Sequence, residues 1–363
     1  MSEISLQTRE AQVGLRFPWD RAPDAGEVMQ VAEGMLWLRM PLPFGLDHIN
    51  LYLLQHEHGW VVVDTGLNTP QSHSVWEQVL SGALESKPIL AVIATHCHYD
   101  HTGMLAWLSD RFQCPVYMTF GEYSSILQPN PKDAETPWQF QQFYLRAGLE
   151  AEQVQQLLGA VSDTFFSNEA PHSYRRLRDG DILKIGRRHW RVVVGSGHSP
   201  EHACLYSEED QMLLSGDQVL PRITSSICIT VTEPEANPLG EWLASIKRFR
   251  NLPDSVLVFP AHELPFYGLH HRLQQLQQHH ERHLDLLSEA LETPQGVDQC
   301  RAVLFPRVRN SFDLLMAIGE TQAHLNFLME EGVLHRELHN EAWVYSLRRS
   351  DGQAFALPED IHV

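Results

Sequence analysis

The sequence predicts an α/β fold in which short strands alternate with helices. Residues 27–64 contain short runs rich in Val, Leu, Ile and Trp, separated by turn residues, which is the pattern of β-strands. Residues 88–96 form a wholly apolar run that ends in polar residues, as a buried strand does. Apolar residues have helical spacing before this run, at 71–80, and after it, at 102–112. This alternation favours sheets that are covered by helices.

Length and pattern predict two domains in this chain of 363 residues. We expect a large domain over residues 1–291, with a helical insertion at about 121–162, and a small domain over residues 297–363. The segment 292–296, with the sequence ETPQG, is the predicted linker. Four aromatic residues of the insertion could pack it onto the body or contact an apolar substrate, and packing is favoured: Trp138, Phe140, Phe143 and Tyr144.

Composition excludes several functional classes. No run approaches the roughly 18 apolar residues of a membrane span, and the N-terminus lacks an apolar signal-peptide core, so a cytoplasmic protein without a membrane partner is expected. The five cysteines include no C-x-x-C pair, which fits a reducing compartment. With 46 acidic against 27 basic residues, the net charge of −19 disfavours a nucleic-acid partner.

One motif concentrates the chemistry. The sequence T-H-C-H-Y-D-H-T-G ends the apolar run at 88–96 and places four candidate ligands within six residues: His96, His98, Asp100 and His101. Imidazoles and carboxylates suit Zn, Fe or Mn. Residues two apart after a strand can face one ion, and the following Asp-His pair can face a second. The buried strand behind them is a rigid support.

Three further ligand candidates follow apolar runs elsewhere in the chain. His198 lies in VVVGSGHSPEH, Asp217 closes LLSGD, and His262 closes VLVFPAH. A polar surface turn is the alternative reading of any single one of these segments. Because all of them stand where a predicted strand ends, we expect their side chains to converge at one edge of a sheet.

These residues resemble the metallo-β-lactamase superfamily, whose H-x-H-x-D-H signature is present unchanged. The resemblance spans roughly residues 27–290 and implies a four-layer αββα sandwich. It implies that His96, His98 and His198 bind one metal ion, that Asp100, His101 and His262 bind another, and that Asp217 bridges the two. Because the last ligand, His262, has an Ala-His-Glu setting, the chain is more similar to the hydrolase branches than to true β-lactamases.

The resemblance also concerns residues around the expected ligands. It implies that Asp64, in VVVDTG, supports a metal-bound histidine from behind, where a simple turn-forming Asp is the alternative. His202 occupies a position often found beside the metal histidine, and a buried structural role is as well supported there as a catalytic one. Glu201 replaces the glycine common at its position. Cys97 and Tyr99 fill variable positions of the motif and are not assigned as ligands.

The expected cofactor is a pair of divalent metal ions, with Zn as the first choice and Fe or Mn as alternatives. Two such ions lower the pKa of a shared water from about 15.7 towards neutrality, and this water would attack a carbonyl or phosphoryl centre. Asp100 or Asp217 would accept its proton and are the predicted catalytic residues.

The C-terminal segment resembles the small winged-helix domain attached to a subgroup of these hydrolases, some of which cut RNA. We expect three helices and a hairpin within residues 298–350. The candidate recognition helix carries Glu320, Glu330 and Glu331 and lacks a basic cluster, which phosphate contacts require. The segment is therefore interpreted as a packing or dimerisation module, and a homo-oligomer is left open.

Four functions compete. The first is a hydrolase of a small carbonyl substrate, namely a thioester, a lactone or an ester. The second is a phosphodiesterase or endoribonuclease that uses the same metals, and the third is a binding or regulatory protein with low turnover. A diiron redox enzyme is the fourth, but nothing after Gly296 resembles the flavin domain that such enzymes usually need. Fold membership alone does not choose among these functions.

Overall fold

The computed structural model of the protein describes residues 14–348, apart from 44, 85–86, 128–136 and 164–168 and the side chains of 160–163. The outer parts of the predicted domains, at 1–13 and 349–363, lie outside the described residues. The same is true of residues 128–136 within the predicted insertion.

The first of two large sheets contains seven strands in sequential order. Its first four strands are antiparallel, and the later ones pair in parallel. The strands are β1 (Val28–Ala32), β2 (Met35–Pro41), β3 (His48–His56), β4 (Gly59–Val63), β5 (Ile89–Ile93), β6 (Val116–Met118) and β7 (Arg175–Arg176).

The second large sheet contains five strands in the order β12-β11-β10-β9-β8. Its pairs are antiparallel except β11 with β12, which run parallel. The strands are β8 (Ile182–Ile185), β9 (Arg188–Gly195), β10 (His202–Ser207), β11 (Met212–Gly216) and β12 (Leu257–Pro260).

Helices connect and cover these strands, and side-chain caps mark where several of them begin. Thr69 accepts a hydrogen bond from the Ser72 amide at the start of the first helix, and Asn310 accepts one from the Asp313 amide at the start of the last. The helices are α1 (Pro70–Ser81), α2 (Tyr99–Thr102), α3 (Leu105–Phe112), α4 (Phe120–Ile126), α5 (Trp138–Arg146), α6 (Ala151–Asp163), α7 (Pro238–Phe249), α8 (Leu269–Ala290), α9 (Val297–Leu304) and α10 (Ser311–Glu330).

Three apolar clusters define the layers. Large side chains from both sheets, among them Trp37, Trp190 and Phe259, fill the space between the sheets. The outer face of the first sheet packs against α1 and α3. The outer face of the second sheet packs against α7, α8 and the C-terminal helices. The predicted four-layer αββα sandwich is thus confirmed.

The C-terminal segment differs from expectation in its helices. It contributes the three-stranded sheet β13-β15-β14, with β13 (Gln295–Gly296), β14 (Leu334–His339) and β15 (Ala342–Leu347). Residues 297–348 contain two helices, where three were expected. Pro306 disfavours helical dihedrals at Phe305, whose ψ is 72°, so that α9 ends there. The predicted linker is partly ordered too, because β13 pairs with β15.

Helix α10 is deeply buried. Residues 317–326 are buried almost throughout, and Ile318, Ala323 and Leu325 belong to the cluster that also contains Trp242 of α7. The C-terminal segment therefore shares an apolar core with the second sheet. The exact domain boundaries and the winged-helix-like assignment stay predictions.

The aromatic residues of the insertion divide between core and surface. Phe143 and Tyr144 are buried in the cluster beneath the second sheet, whereas Trp138 is 64% exposed. Packing thus accounts for two of the four aromatic side chains. Among the described residues, no helix is long and apolar enough to span a bilayer.

Candidate metal centre

All seven predicted ligands come together at one edge of the two sheets. His96 and His98 follow β5, and Asp100 and His101 lie in α2 directly afterwards. Three others leave the second sheet, between β9 and β10, after β11 and after β12: His198, Asp217 and His262. The buried strands fix the directions of these short exits, so the ligands stand on rigid supports.

A first group of ligand atoms surrounds His96. Its Nε2 lies 2.9 Å from Nδ1 of His98 and 3.2 Å from Nε2 of His198. A carboxylate oxygen of Asp217 lies 3.5 Å from Nε2 of His198. One ligand atom of each of these four residues lies within 4.8 Å of the others, which is the spacing expected around a single ion.

A second group contains Asp100, His101 and His262, again with their ligand atoms within 4.8 Å of one another. Oδ2 of Asp100 lies 3.7 Å from Nε2 of His101 and 3.5 Å from Nε2 of His262. Asp217 reaches this group as well, because its Oδ2 lies 3.6 Å from Nε2 of His101 and its Oδ1 lies 3.3 Å from Nε2 of His262. Asp217 therefore contacts both groups.

The residues fit metal ions on structural grounds. Nε2 of His101 and Oδ1 of Asp217 are buried without a hydrogen-bond partner. A buried polar atom left in this state costs about 1–3 kcal/mol. Imidazole nitrogens and carboxylate oxygens can all act as lone-pair donors, so a cation between them would satisfy these atoms at once. Both groups could hold metal ions, and the ligand assignments themselves stay predictions.

Backbone carbonyl groups fix the tautomers of two histidines. Nδ1 of His198 donates to the Ser226 carbonyl at 2.8 Å, and Nδ1 of His262 donates to the His48 carbonyl at 2.8 Å. A carbonyl oxygen can only accept, so Nδ1 must carry the proton. In the neutral rings this leaves the lone pair on Nε2, which faces the candidate metal centre.

Asp64 supports His101 in the same manner. Its Oδ2 accepts a hydrogen bond from Nδ1 of His101 at 2.8 Å, and its Oδ1 accepts one from the Thr95 amide at 2.8 Å. Its backbone φ of 62° lies in the left-handed region, which Asp tolerates better than most residues. The turn that Asp64 forms after β4 thus aims its carboxylate at the back of a ligand.

The histidines of the centre differ in the direction in which their pKa values are shifted. Burial lowers the pKa of His98 to about 3, and burial together with neighbouring histidines lowers the pKa of His96. Burial acts in the same direction on His101, but Asp100, Asp64 and Asp217 outweigh it and raise its pKa. His96 and His98 are consequently neutral at pH 7, the form that binds metal, while the carboxylates attract positive charge.

His202 holds Asp217 in place. Its Nε2 accepts a hydrogen bond from the Asp217 amide at 3.1 Å, and its ring stacks on that of His96 with centroids 4.7 Å apart. At the neighbouring Gly216, a Cβ atom would lie 2.5 Å from the His202 ring, so glycine is required there. These contacts give His202, which is fully buried, a positioning role.

Glu122 lies at the site although no sequence pattern singled it out. This buried carboxylate in α4 accepts hydrogen bonds from the Cys97 amide at 2.9 Å, from the Ser199 hydroxyl at 2.6 Å and from the Glu201 amide at 2.7 Å. It ties the segment of His96 and His98 to the segment of His198. Burial raises its pKa, against the hydrogen bonds, which favour the charged form.

Glu201 links the same segment to α4. Its carboxylate accepts a hydrogen bond from the Gly121 amide at 2.7 Å, and its carbonyl accepts one from the Thr119 hydroxyl at 2.7 Å. The glutamate at this position, where glycine is common, therefore adds a side-chain hydrogen bond at the border of the site.

Comparison with known proteins agrees with this geometry. The model of the metallo-beta-lactamase superfamily matches residues 44–262, and the model of the metallo-beta-lactamase-like C-terminal domain matches residues 284–348. The crystal structure of a beta-lactamase domain protein from Burkholderia ambifaria is 39% identical, with a TM-score of 0.86, over 93% of this chain and 100% of that one. The chain belongs to the metallo-beta-lactamase superfamily and is a metal-dependent hydrolase.

Curated relatives carry related names. A protein of Bacillus subtilis (strain 168) named Probable metallo-hydrolase YqjP is 26% identical over 82% of this chain and 93% of its own length. Acyl-coenzyme A thioesterase MBLAC2 of Homo sapiens is 28% identical over 52% of this chain and 64% of its own length.

Replacing Glu122 tests its positioning role. Glu122→Gln keeps the shape of the side chain but turns one acceptor into a donor that faces N–H and O–H groups. We expect metal affinity and turnover to fall by about 10–100-fold, as for other residues that orient ligands from behind. Metal titration and a turnover assay would measure this loss. Glu209→Gln, at an exposed position, is the matched control, and equal behaviour of the two variants would contradict the role.

Proposed function

We propose that the protein is a dinuclear hydrolase that directs a metal-activated water at a small carbonyl substrate, namely a thioester, a lactone or an ester. The position of Asp217 carries the proposal. Its two carboxylate oxygens lie 3.5 Å from His198, 3.6 Å from His101 and 3.3 Å from His262, so one residue reaches both ligand groups. A mononuclear site would not need this arrangement.

Two bound Zn²⁺ ions, or Fe or Mn in their place, would supply a water of lowered pKa and polarise the carbonyl oxygen. In this assignment His96, His98 and His198 hold one ion, and Asp100, His101 and His262 hold the other. The protein supplies fixed ligand directions, since Nδ1 of His198 and of His262 is anchored to the backbone. Asp64 anchors His101 in the same way.

Asp100 is the better placed of the two candidate proton acceptors. Its side chain is 22% exposed, whereas that of Asp217 is 10% exposed and contacts three histidines. A carboxylate at the open side can take a proton from the attacking water and return it to the leaving group. Asp217 is then left to hold the two ligand groups together.

A small carbonyl substrate is supported by two independent features. The relative named as an acyl-coenzyme A thioesterase is 28% identical over 52% of this chain. The final ligand His262 is followed by Glu263, in the setting that resembles hydrolase branches rather than true β-lactamases.

The surroundings of α10 disfavour a nucleic-acid substrate. Its residues 317–326 are packed against the body, so this helix is not available to enter a groove. Near its end, Glu330 accepts a hydrogen bond from Asn237 at 2.6 Å. The net charge of −19 adds a general repulsion of phosphates. A cytoplasmic location is kept in the proposal, supported by five free cysteines.

The bridge can be tested by removing its charge. Asp217→Asn keeps the shape but loses the negative charge that offsets two cations, so we expect turnover to fall by about a hundredfold or more and ion content to drop. His262→Ala should empty the second group alone. Elemental analysis and turnover of both variants would measure this, with Asp285→Asn, at an exposed position of α8, as the control. Wild-type turnover in either active-site variant would refute the assignment of that residue.

Substrate class can be tested on a single preparation. We expect metal-dependent hydrolysis of a thioester or lactone, together with no salt-sensitive binding of single-stranded RNA at low ionic strength. A turnover panel and a filter-binding titration would measure both. Tight RNA binding with metal-dependent cleavage, and no hydrolysis of carbonyl substrates, would favour the endoribonuclease instead.

A further inference from the structure

A second group of metal-ligand side chains lies between α8 and α10 and shares no residue with the candidate metal centre. His279 and His280 of α8 and Glu320 of α10 each offer a ligand atom within 4.8 Å of the others. Two more histidines border them. The ring of His283 lies 4.3 Å from that of His279, and the ring of His324 lies 5.2 Å from that of His280. These five residues are called the α8–α10 cluster.

A chain of hydrogen bonds fixes the tautomers within the α8–α10 cluster. Nδ1 of His324 donates to the Glu320 carbonyl at 2.8 Å, because a carbonyl oxygen can only accept. Neutral His324 therefore has its lone pair on Nε2, which lies 3.1 Å from Nδ1 of His280. The proton of that contact must come from Nδ1 of His280. Nε2 of His280 is consequently left with a lone pair.

This lone pair has no partner in the described structure. His280 is fully buried, and its Nε2 makes no hydrogen bond. An acceptor that is buried without a partner carries a free-energy penalty. A bound cation would remove that penalty. The neutral state of the rings is supported by burial, which lowers the pKa of His279 to about 3 and of His324 to about 4.

We propose that the α8–α10 cluster binds one transition-metal ion through His279, Nε2 of His280 and the carboxylate of Glu320, with water in the remaining position. Two neutral imidazoles and one carboxylate suit Zn²⁺, Co²⁺ or Ni²⁺. His279 and Glu320 are only partly buried, which leaves a path from solvent. The ion acts structurally, because it fastens α10 of the C-terminal segment to α8 of the body.

Burial acts against the charged form of Glu320. Burial raises the pKa of its carboxyl to about 8, so a bound cation would favour the ionised form that ligates. The position of Glu320 beside α8 gives a role to this glutamate, which lies on the helix that was the candidate recognition helix.

The test compares ion contents after loading with Zn²⁺. The wild-type protein and the variants His279→Ala and Glu320→Gln are saturated with Zn²⁺, freed of unbound ion by gel filtration and subjected to elemental analysis. We expect wild type to hold about one ion more per chain than either variant, while all three keep their turnover. His271→Ala, at an exposed position of the same helix, is the matched control and should retain the ion.

A second measurement separates this site from the catalytic centre. In Asp217→Asn, which lacks the bridge of that centre, added Zn²⁺ should still raise Tm, because an ion that binds only the folded chain stabilises it. The rise should be smaller when Glu320→Gln is added. Equal ion contents in wild type and both variants, or no Tm rise that depends on Glu320, would overturn the proposal and leave a packing cluster of neutral histidines.

Discussion

The close approach of imidazole nitrogens and carboxylates at the candidate metal centre is the constraint on which the surrounding structure depends. Nε2 of His96 lies 2.9 Å from a nitrogen of His98 and 3.2 Å from one of His198. Imidazole nitrogens stay this close when a proton or a metal ion lies between them and the scaffold prevents their separation. The two sheets provide that scaffold, because the ligand-bearing segments follow the largely buried ends of strands.

Hydrogen-bond acceptors that contact the ligands from behind determine the orientation of the ligand side chains. Acceptors at Asp64, Ser226 and His48 hold Nδ1 of three histidines and so decide which nitrogen faces the centre. Glu122 then joins two ligand-bearing segments that are about a hundred residues apart in the chain. The site is thus a network in which the ligands themselves contribute only the innermost contacts.

Much of this site could be predicted from the sequence because the signal is local. The ligand-bearing segments follow apolar runs, and H-x-H-x-D-H places four ligands within six residues. The contacts of Glu122 and His48 could not be predicted, since they depend on which segments the fold brings together. The role of the Ser226 carbonyl group could not be predicted either, because every residue carries a backbone carbonyl group.

The same distinction explains the C-terminal segment. Glu320 looked like an exposed acidic residue because sequence spacing does not say which face of a helix is covered. In the folded chain, α8 supplies that cover, and residues of α8 and α10 meet although more than 40 positions separate His280 from His324. Two helices stand where three were expected because residues 311–330 form one continuous helix, whereas Pro306 only ends α9 at Phe305.

X-ray diffraction of metal-loaded crystals, with anomalous scattering recorded at the absorption edge of the bound metal, tests the central claim most directly. At this centre the account predicts two anomalous peaks on either side of the Asp217 carboxylate, one among His96, His98 and His198 and the other among Asp100, His101 and His262. A single peak at this centre, or two peaks there that Asp217 does not contact, would contradict it.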